Sequence, residues 1–381
     1  MKKIIFLVTI AVIALGAKAQ DVFFEYDGLY YRISGVRVFV ASPRNMPGNV
    51  GLSGETHYSG SITVPETVEY KGEKYPVIGV FINAFDGCTE LESLTLPETV
   101  TLIYESSLSN CGEIELNLPG NITTIYGLAF ENTIVTNTSE LNLPNCEYLA
   151  PRSLRGSSFK RLSIGPNITM MHGQAVYNSN IEMIEFLNGN ADVRTGFSVH
   201  AFLGFKGHEI RLPNRTLLFA FESFRDCPNL ERVYFPPVEK LVHSGDFQGL
   251  DEREGRYSEV NDMIYKCPNM KEVVCFANIP PQFYRHESLY TAFKIIDNED
   301  CVLKVPAGSE NLYRLDPVWG HFKTIEGFEP GEYTGVYEVA AVEAPYEQPV
   351  YYNLQGQRID HPQPGYLYIR KQGSQVKKMV Y

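Results

Sequence analysis

A short segment of the form apolar, any residue, apolar, proline recurs along the chain. Complete copies end at Pro65, Pro97, Pro119, Pro144, Pro213, Pro236 and Pro306, and looser copies without the proline end at Ile164, Phe186 and Cys275. The second apolar residue of each copy, here called the anchor, falls at positions 64, 96, 118, 143, 164, 186, 212, 235, 275 and 305, mostly 21 to 26 residues apart. A unit this short buries its apolar side only against neighbouring units, so the repeat predicts a stacked array.

The units also share residues ahead of the anchor. Residues 84–97 (AFDGCTELESLTLP) recur as residues 223–236 (SFRDCPNLERVYFP). Cysteines stand seven or eight residues before the anchor in four units, at Cys88, Cys111, Cys227 and Cys267. A small, weakly polar side chain suits an inward turn where a larger one would push successive coils apart. We expect these cysteines to be buried and reduced, and disulfide bonds between adjacent coils remain the alternative.

Each anchor segment is expected to form a short strand, which the following proline ends because it has no N–H for the next ladder bond. About ten such strands side by side would make a parallel sheet roughly 45 Å long. The period lies in the range of leucine-rich repeats. The predicted fold is therefore a leucine-rich-repeat solenoid: short parallel strands stacked into a curved sheet, irregular turns or short helices on the other side, an N-terminal β cap and a small C-terminal β module.

This pattern resembles the BspA-like leucine-rich-repeat surface proteins of the Bacteroidetes. Residues 27–33 (DGLYYRI) and 58–78 look like the N-terminal β cap of that family, and residues 305–325 look like its closing unit. The resemblance covers roughly residues 21–328, with degenerate copies between 122 and 203. It implies a role in adhesion, or in interaction with proteins of a host or of neighbouring cells.

The chain divides into five predicted segments. They are a signal peptide (1–19), the N-terminal β cap with the first strand (20–74), the solenoid with its closing unit (75–328), a linker rich in Pro, Gly, Glu and Tyr (329–349), and a C-terminal β module (350–381). Three strands are expected in the last segment, which looks like the C-terminal sorting or β-tail segments of exported Bacteroidetes proteins. A purely structural β hairpin remains the alternative.

The N-terminus predicts export. Two lysines precede an apolar run of 13 residues from position 4, and Ala17-Lys18-Ala19 supplies the small residues that a signal peptidase reads. That run is too short to span a membrane as a helix, and no transmembrane segment is expected in the mature chain. The sequence thus predicts a protein that is secreted or at the cell surface, with the periplasm as a further possibility.

Charge and spacing argue against several classes of function. The chain carries a net charge of −12, and the 30 basic and 45 acidic residues beyond position 19 make it −15, so nucleic acid is not an expected partner. The eight histidines are never closer than eight residues, and there is no C-x-x-C pair, phosphate loop or nucleophile elbow. We expect no enzymatic activity, no cofactor and no metal.

The residues that alternate with the anchors should point outward and form the candidate ligand face. The outward residues singled out are Asn117, Asn142, Arg161, Glu185, Arg211, Arg232 and Tyr234. Their mixed charges favour a protein partner of unknown identity, or a neutral glycan, over a polyanion. The alternatives that remain are a glycan-binding surface module and a structural envelope protein without a soluble ligand.

Two longer stretches interrupt the period. The anchors at 235 and 275 are 40 residues apart, with an excess around residues 238–263. A second stretch, residues 276–300, holds the candidate loop contacts Phe283, Tyr284 and Arg285, which could stack on a sugar or on partner side chains. Insertions in a solenoid map to loops on one face, and such loops often bind ligands.

Overall fold

The structure is a computed structural model. It describes residues 21–45, 58–187, 193–215, 217–219, 222–238, 240–243, 263–284, 300–329, 331–333, 350–352, 358–359, 367–372 and 375–380. The predicted signal peptide and most of the predicted linker lie outside the described residues, as does most of the insertion after position 238.

The N-terminal cap consists of two antiparallel groups of strands. In chain order its strands are β1 (Val22–Tyr26), β2 (Leu29–Ser34), β3 (Arg37–Ala41), β4 (Gly60–Thr63), β5 (Thr67–Tyr70) and β6 (Glu73–Val80), with a 3-10 turn at Pro43–Asn45. Strands β1, β2 and β3 form an antiparallel meander, and β5 pairs antiparallel with β6. The parallel pairing of β3 with β6 joins the cap to the first coil.

The coils that follow are built almost entirely from strands of two to six residues. They are β7 (Leu91–Thr95), β8 (Leu102–Ile103), β9 (Gly112–Asn117), β10 (Thr124–Ile125), β11 (Thr133–Val135), β12 (Glu140–Leu143), β13 (Tyr148–Leu149), β14 (Arg161–Ile164), β15 (Met170–Met171), β16 (Met183–Phe186), β17 (Thr195–Phe197), β18 (Glu209–Arg211), β19 (Leu217–Phe219), β20 (Phe224–Arg225), β21 (Arg232–Phe235), β22 (Lys240–His243), β23 (Ile264–Tyr265), β24 (Glu272–Cys275), β25 (Gln282–Tyr284), β26 (Val302–Pro306) and β27 (Thr324–Phe328).

Two parallel ladders run along the stack and enclose the core between them. The anchor strands form one side in three groups, β4–β7–β9–β11, β12–β14–β16 and β18–β21–β24–β26–β27. The opposite side is a second sheet that continues from β6 through β8, β10, β13, β15, β17, β19 and β22 to β25. The predicted solenoid class is confirmed. Its opposite side is a regular sheet of very short strands rather than the expected turns or short helices.

A third set of contacts between coils lies in the turn that precedes each anchor strand. The N–H of Phe85 donates to the carbonyl of Ser107 at 2.8 Å, and that of Leu108 to the carbonyl of Ala129 at 2.9 Å. The turn uses two left-handed residues four positions apart, with φ between 48° and 70°. These pairs are Asn83/Gly87, Ser106/Asn110, Leu128/Asn132, Arg152/Gly156, Gln174/Asn178, His200/Gly204 and Glu222/Asp226. Asn, Asp and Gly tolerate this backbone best, which explains their recurrence at the second position.

The recurring cysteines occupy the position directly after the second left-handed residue of the turn, here called the cysteine slot. Its occupants are buried and are mostly small: Cys88, Cys111, Thr133, Ser157, Ser179, Phe205, Cys227 and Cys267. The thiol of Cys111 lies 3.2 Å from the carbonyl oxygen of Phe85, and that of Cys227 lies 3.1 Å from the carbonyl oxygen of Phe202, in each case in the preceding coil. The hydroxyl of Thr133 donates in the same way to the carbonyl oxygen of Leu108. The slot therefore favours a small hydrogen-bond donor.

All seven cysteines are free and buried, which confirms the expectation of reduced thiols over disulfide bonds. Burial raises the pKa of the Cys88 thiol to about 11 and that of Cys146 to about 12. Because the thiolate is the reactive form, these side chains act as small apolar residues of the core.

A closing unit ends the core. Helix α1 (Glu310–Leu315) and a 3-10 turn at Trp319–His321 bury Tyr313 and the single tryptophan, Trp319, whose rings meet edge to face at 5.6 Å. The indole N–H of Trp319 donates to the carbonyl of Pro281 at 3.0 Å. These large side chains cover apolar surface that a further coil would otherwise bury.

The C-terminal module forms its own antiparallel sheet. It contains β28 (Val350–Tyr352), β29 (Arg358–Ile359), β30 (Leu367–Gln372) and β31 (Gln375–Val380), paired in the order β29–β28–β30–β31. The sequence predicted three strands here, and the structure has four. Strand β28 pairs with both β29 and β30, and β30 also pairs with β31.

Candidate interaction surface

The side of the anchor strands that faces away from the core is here called the outer face. The alternating burial of β12 and β16, with exposed residues between buried ones, places Asn142 and Glu185 on it as expected. Asn117 is exposed at the end of β9, and Arg161 lies half-buried at the start of β14. The strands of this part of the face thus present one or two polar residues per coil.

Asparagine side chains are bonded across the outer face near its N-terminal end. The Nδ2 of Asn117 donates to the Thr95 hydroxyl at 3.2 Å, and the Nδ2 of Asn137 donates to Oδ1 of Asn117 at 3.2 Å. The amide of Asn137 also bonds both backbone groups of Leu116, beyond the end of β11, which pairs only with the first half of β9. Asn137 could not be predicted as a residue of this face, because it lies outside the anchor pattern, in a unit with degenerate spacing.

The charged candidates in the middle of the face are paired with one another across strands. Arg161 Nη1 on β14 lies 3.0 Å from Glu185 Oε2 on β16, and Ser163 donates to Glu140 Oε1 at 2.8 Å. The side chains of Arg161 and Glu185 are 42% and 50% exposed, so solvent screens the pair and it contributes little to stability. Its consequence is electrostatic: this part of the face presents paired charges rather than a single sign.

The remaining candidates cluster towards the C-terminal end. Arg211 lies over the ring of Tyr234 at 5.6 Å and pairs with Glu209, while Arg232 Nε lies 2.9 Å from Glu272 Oε2. Tyr234 points outward as expected but is only 4% exposed. The expectation that the Tyr234 side chain is available to a ligand is therefore wrong.

Tyr234 is covered because a small apolar cluster lies on the outer face at this point. It comprises Tyr234, Val274, Phe276 and Phe328, with the half-buried Tyr333 packed against it. The ring of Tyr333 meets those of Phe328, Tyr234 and Phe276 edge to face, with centroids 5.1, 5.9 and 6.1 Å apart. The first residues of the predicted linker thus fold back onto the sheet. Nothing in the repeat pattern signalled this contact.

The loop candidates are partly described. Phe283 and Tyr284 belong to β25, which pairs with β22 at the end of the second sheet. Arg285 lies outside the described residues. The long spacing before β24 is an insertion in one coil, since Phe235 of β21 pairs directly with Cys275 of β24.

A row of half-buried aromatic side chains crosses the outside of the second sheet. Tyr104 and Tyr126 follow β8 and β10, and their rings stack at 4.7 Å with an angle of 18° between the planes. Phe81 meets Tyr104 at 6.1 Å, and Tyr148 meets His172 at 4.9 Å. This row was missed in the sequence, although Ile103-Tyr104 and Ile125-Tyr126 recur at the repeat spacing.

Metal-ligating side chains are not clustered in the part of the chain described by the structure. Within it, no group of three or more His, Cys, Asp or Glu side chains could hold a metal ion. A shallow depression lined by Asp226, Pro228, Lys266 and Pro268 is open to solvent. No helix within the described ranges is both long and apolar enough to cross a membrane.

Stacked coils with a parallel anchor strand in each define the leucine-rich-repeat class of solenoids. Residues 80–199 match the family model of the BspA type leucine rich repeat region, in six copies. The chain therefore has a leucine-rich-repeat fold, and its residues 80–199 are similar to BspA-type repeats, in agreement with the resemblance found in its sequence. No curated protein sequence matches it.

Several solved structures are similar to the chain. A leucine-rich repeat protein from Bacteroides ovatus is 15% identical, with 76% of this chain and 80% of that one covered and a TM-score of 0.31. A leucine rich cell surface protein from Faecalibacterium prausnitzii is 12% identical, with coverages of 83% and 97% and a TM-score of 0.41. The pneumococcal vaccine antigen PcpA is 11% identical, with coverages of 81% and 98% and a TM-score of 0.28.

Proposed function

We propose that this protein is exported, is displayed at the cell surface or secreted, and binds a protein partner of a host or neighbouring cell through its outer face. The observation that carries the proposal is the outer face itself. Coil after coil presents exposed polar residues there, such as Asn117, Asn142 and Glu185, on a backbone held by ladders on both sides of the core. A broad, rigid strip of this kind suits a large partner better than a small ligand in a pocket.

Charge supports a protein partner. The middle of the face pairs Arg161 with Glu185, and its C-terminal part pairs Arg232 with Glu272. A surface on which both signs alternate matches another mixed protein surface and would repel neither sign strongly. We infer no catalytic activity for the chain, since the proposed role needs only binding.

The experiment that tests this function is capture from defined host extracellular proteins by the mature chain, residues 20–381. The companion variant exchanges the charges of one pair, Arg161→Glu with Glu185→Arg. Because an ion pair can form in either order, this exchange should leave folding unchanged while it reverses the charges that a partner contacts at positions 161 and 185. Capture that is equal for both proteins would contradict binding through the outer face.

Glycan binding is a second candidate, and the aromatic row on the second sheet favours it. Tyr104, Tyr126 and Tyr148 present half-buried rings in succession, and aromatic side chains with a polar end are frequent at binding surfaces. A glycan array probed with the mature chain and with its Tyr126→Ala variant tests this role. Binding that depends on Tyr126 supports the glycan function, and an array without binding removes it.

Export and attachment complete the proposal. Residues 1–19 direct secretion, and the antiparallel sheet of residues 350–380 acts as a sorting or attachment segment. Deletion of residues 350–381 tests attachment: the truncated protein should be released into the medium. A truncated protein that stays on the cell surface would show that the module is only structural.

A further inference from the structure

We propose that the free edge of strand β4 (Gly60–Thr63) is a strand-addition site, which binds an extended segment of a partner protein through backbone hydrogen bonds. Strand β4 ends the anchor ladder, and β7 is its neighbour in the part of that sheet which the structure describes. Its other edge, formed by the backbone groups of Ser61 and Thr63 and here called the β4 edge, has no neighbouring strand there. The proposal goes beyond binding at the outer face and does not depend on it.

The pairing of β4 with β7 decides which backbone groups lie on the β4 edge. In a parallel ladder, successive residues of a strand direct their N–H and C=O groups to opposite sides. The N–H of Val64 donates to the carbonyl of Thr95 on β7 at 3.0 Å. Val64 therefore faces β7, and by alternation Ser61 and Thr63 face away from it. Among the described residues, none bonds the N–H or C=O groups of Ser61 and Thr63, so the β4 edge offers donors and acceptors to an added strand.

The side chains along the β4 edge leave it accessible. Ser61 and Thr63 are both exposed, and neither carries the charge with which many edge strands prevent pairing. Proline also blocks exposed edges, but here it stands at position 65, after the strand has ended. With four residues, β4 is short, so its edge suits one extended peptide segment rather than a second sheet.

The opposite end of the anchor ladder is blocked, which sets the β4 edge apart. Strand β27 is the last strand there, and helix α1 lies along its free edge. Nη2 of Arg314 in that helix donates to the carbonyl of Ile325 at 3.1 Å, which occupies an acceptor of the edge. A Cβ on Gly327 would collide with the carboxylate of Glu310, so no further strand fits beside it. At the cap, the edge strand β1 carries the exposed charge of Glu25.

The side chain of Ile62 indicates the chemistry of the partner. Ile62 pairs with Leu94 of β7, which pairs with Leu116 of β9, so the three side chains form one row that packs on the core. Leu94 and Leu116 are buried, whereas Ile62, at the end of the row, is half-buried. An added strand would place its own inward residue beside Ile62 and remove apolar surface from water. The partner segment should therefore be extended, free of proline, and carry an apolar residue between two polar ones.

The test measures the binding of a fluorescent peptide with blocked ends to the mature chain by fluorescence anisotropy. The peptide copies residues 91–96, LESLTL, an anchor strand with the expected alternation. It should saturate the native protein at one peptide per chain. A control peptide with proline in place of the central leucine, LESPTL, should bind at least ten-fold more weakly, because proline lacks a donor and interrupts the strand.

Two variants at one position separate the backbone from the side chain. Thr63→Pro removes the N–H from the β4 edge, whereas the bonds to β7 do not use that group. This variant should bind the LESLTL peptide at least ten-fold more weakly than the native protein. Thr63→Val is the matched control, because it keeps the N–H and exchanges only the hydroxyl for a methyl group, and its affinity should be unchanged. Thermal unfolding checks that both variants fold.

Amide hydrogen exchange of the native protein tests the same site without a variant. The amide hydrogens of Ser61 and Thr63 should exchange at least ten-fold more slowly with saturating peptide than in the free protein. Absence of peptide binding would overturn the proposal, as would binding that leaves both amides unprotected or that persists in folded Thr63→Pro. A native dimer that Thr63→Pro converts to a monomer in sedimentation would also overturn it, because a second copy of the chain would then occupy the β4 edge.

Discussion

The side-chain amide of Asn137 takes the place of a backbone neighbour for Leu116. Its Oδ1 accepts the Leu116 N–H at 3.0 Å, and its Nδ2 donates to the Leu116 carbonyl at 3.2 Å. A carboxamide offers the same donor and acceptor as a peptide group, so it can continue a parallel ladder for one residue. The ladder breaks after β11, which pairs with the N-terminal half of β9, and Asn137 serves the C-terminal half.

Removal of this amide should weaken the stack at the break. Asn137→Ala leaves the N–H and carbonyl of Leu116 without their partner, and we expect a loss of about 1 kcal/mol in the free energy of unfolding. Asn142→Ala, on the exposed part of β12, should change it by less than about 0.5 kcal/mol. Urea unfolding of both variants and the native chain is the measurement. Equal stability of the two variants would show that water replaces the amide at no cost.

Where the preceding coil lies close to a left-handed turn position, we expect a strong preference for glycine at that position. Gly156 has a φ of 67°, and a Cβ on it would approach Oδ1 of Asn132 to 2.3 Å. Gly156→Ala should lower the free energy of unfolding by about 1–2 kcal/mol from backbone conformation alone. Gly120→Ala is the matched control, because its Cβ would meet Pro144 at an ordinary 3.7 Å. Thermal unfolding that ranks the two variants equally would contradict this account of the turn.

The buried thiols predict a loss of stability at high pH. Burial raises the pKa of Cys275 to about 11 and that of Cys301 to about 12 in the folded chain, whereas unfolded thiols ionise near pH 8.5, as model peptides do. The stabilising contribution is complete below about pH 8.5 and is lost as the pH rises towards the folded values, because the unfolded chain releases its protons first. Urea unfolding at pH 8 and pH 10 should differ by on the order of 1 kcal/mol for each buried thiol.

Cys301→Ala should reduce that pH dependence, although it also lowers stability at pH 8 through the lost packing. If the dependence on pH were the same in the variant and in the native chain, Cys301 would not be a protonated thiol of the core. A native chain that reacts with a thiol reagent at pH 8 before it unfolds would contradict the burial of the cysteines.

Much of the fold could be predicted from the sequence, because the anchor pattern indicates where each strand lies and the following proline indicates where it ends. The cysteine slot was likewise visible as a small inward residue, but its role as a donor to the preceding coil required the contact between Cys111 and Phe85. The second sheet was missed because strands of two residues are too short for an alternating pattern to show. Its signal is only the spacing of pairs such as Ile103-Tyr104 and Ile125-Tyr126.

The candidate surface was predicted only in outline. Alternation along the strands placed Asn142 and Glu185 outward, since side chains of a strand alternate between its two faces. That alternation does not show which residues are neighbours on adjacent strands, so the ion pair between Arg161 and Glu185 could not be predicted from the sequence. The cover over Tyr234 comes from Tyr333, about a hundred residues further along the chain, and no local pattern connects the two.

The central claim is that partners bind the outer face of the anchor strands. Its most direct test is the dissociation constant of a captured partner for three proteins, namely the native mature chain, the charge exchange Arg161→Glu with Glu185→Arg, and Tyr126→Ala on the second sheet. We predict at least a ten-fold weaker affinity for the charge exchange, a loss of about 1.4 kcal/mol, and an unchanged affinity for Tyr126→Ala. The reverse result, in which only Tyr126→Ala weakens binding, would place the interaction on the second sheet and contradict the claim.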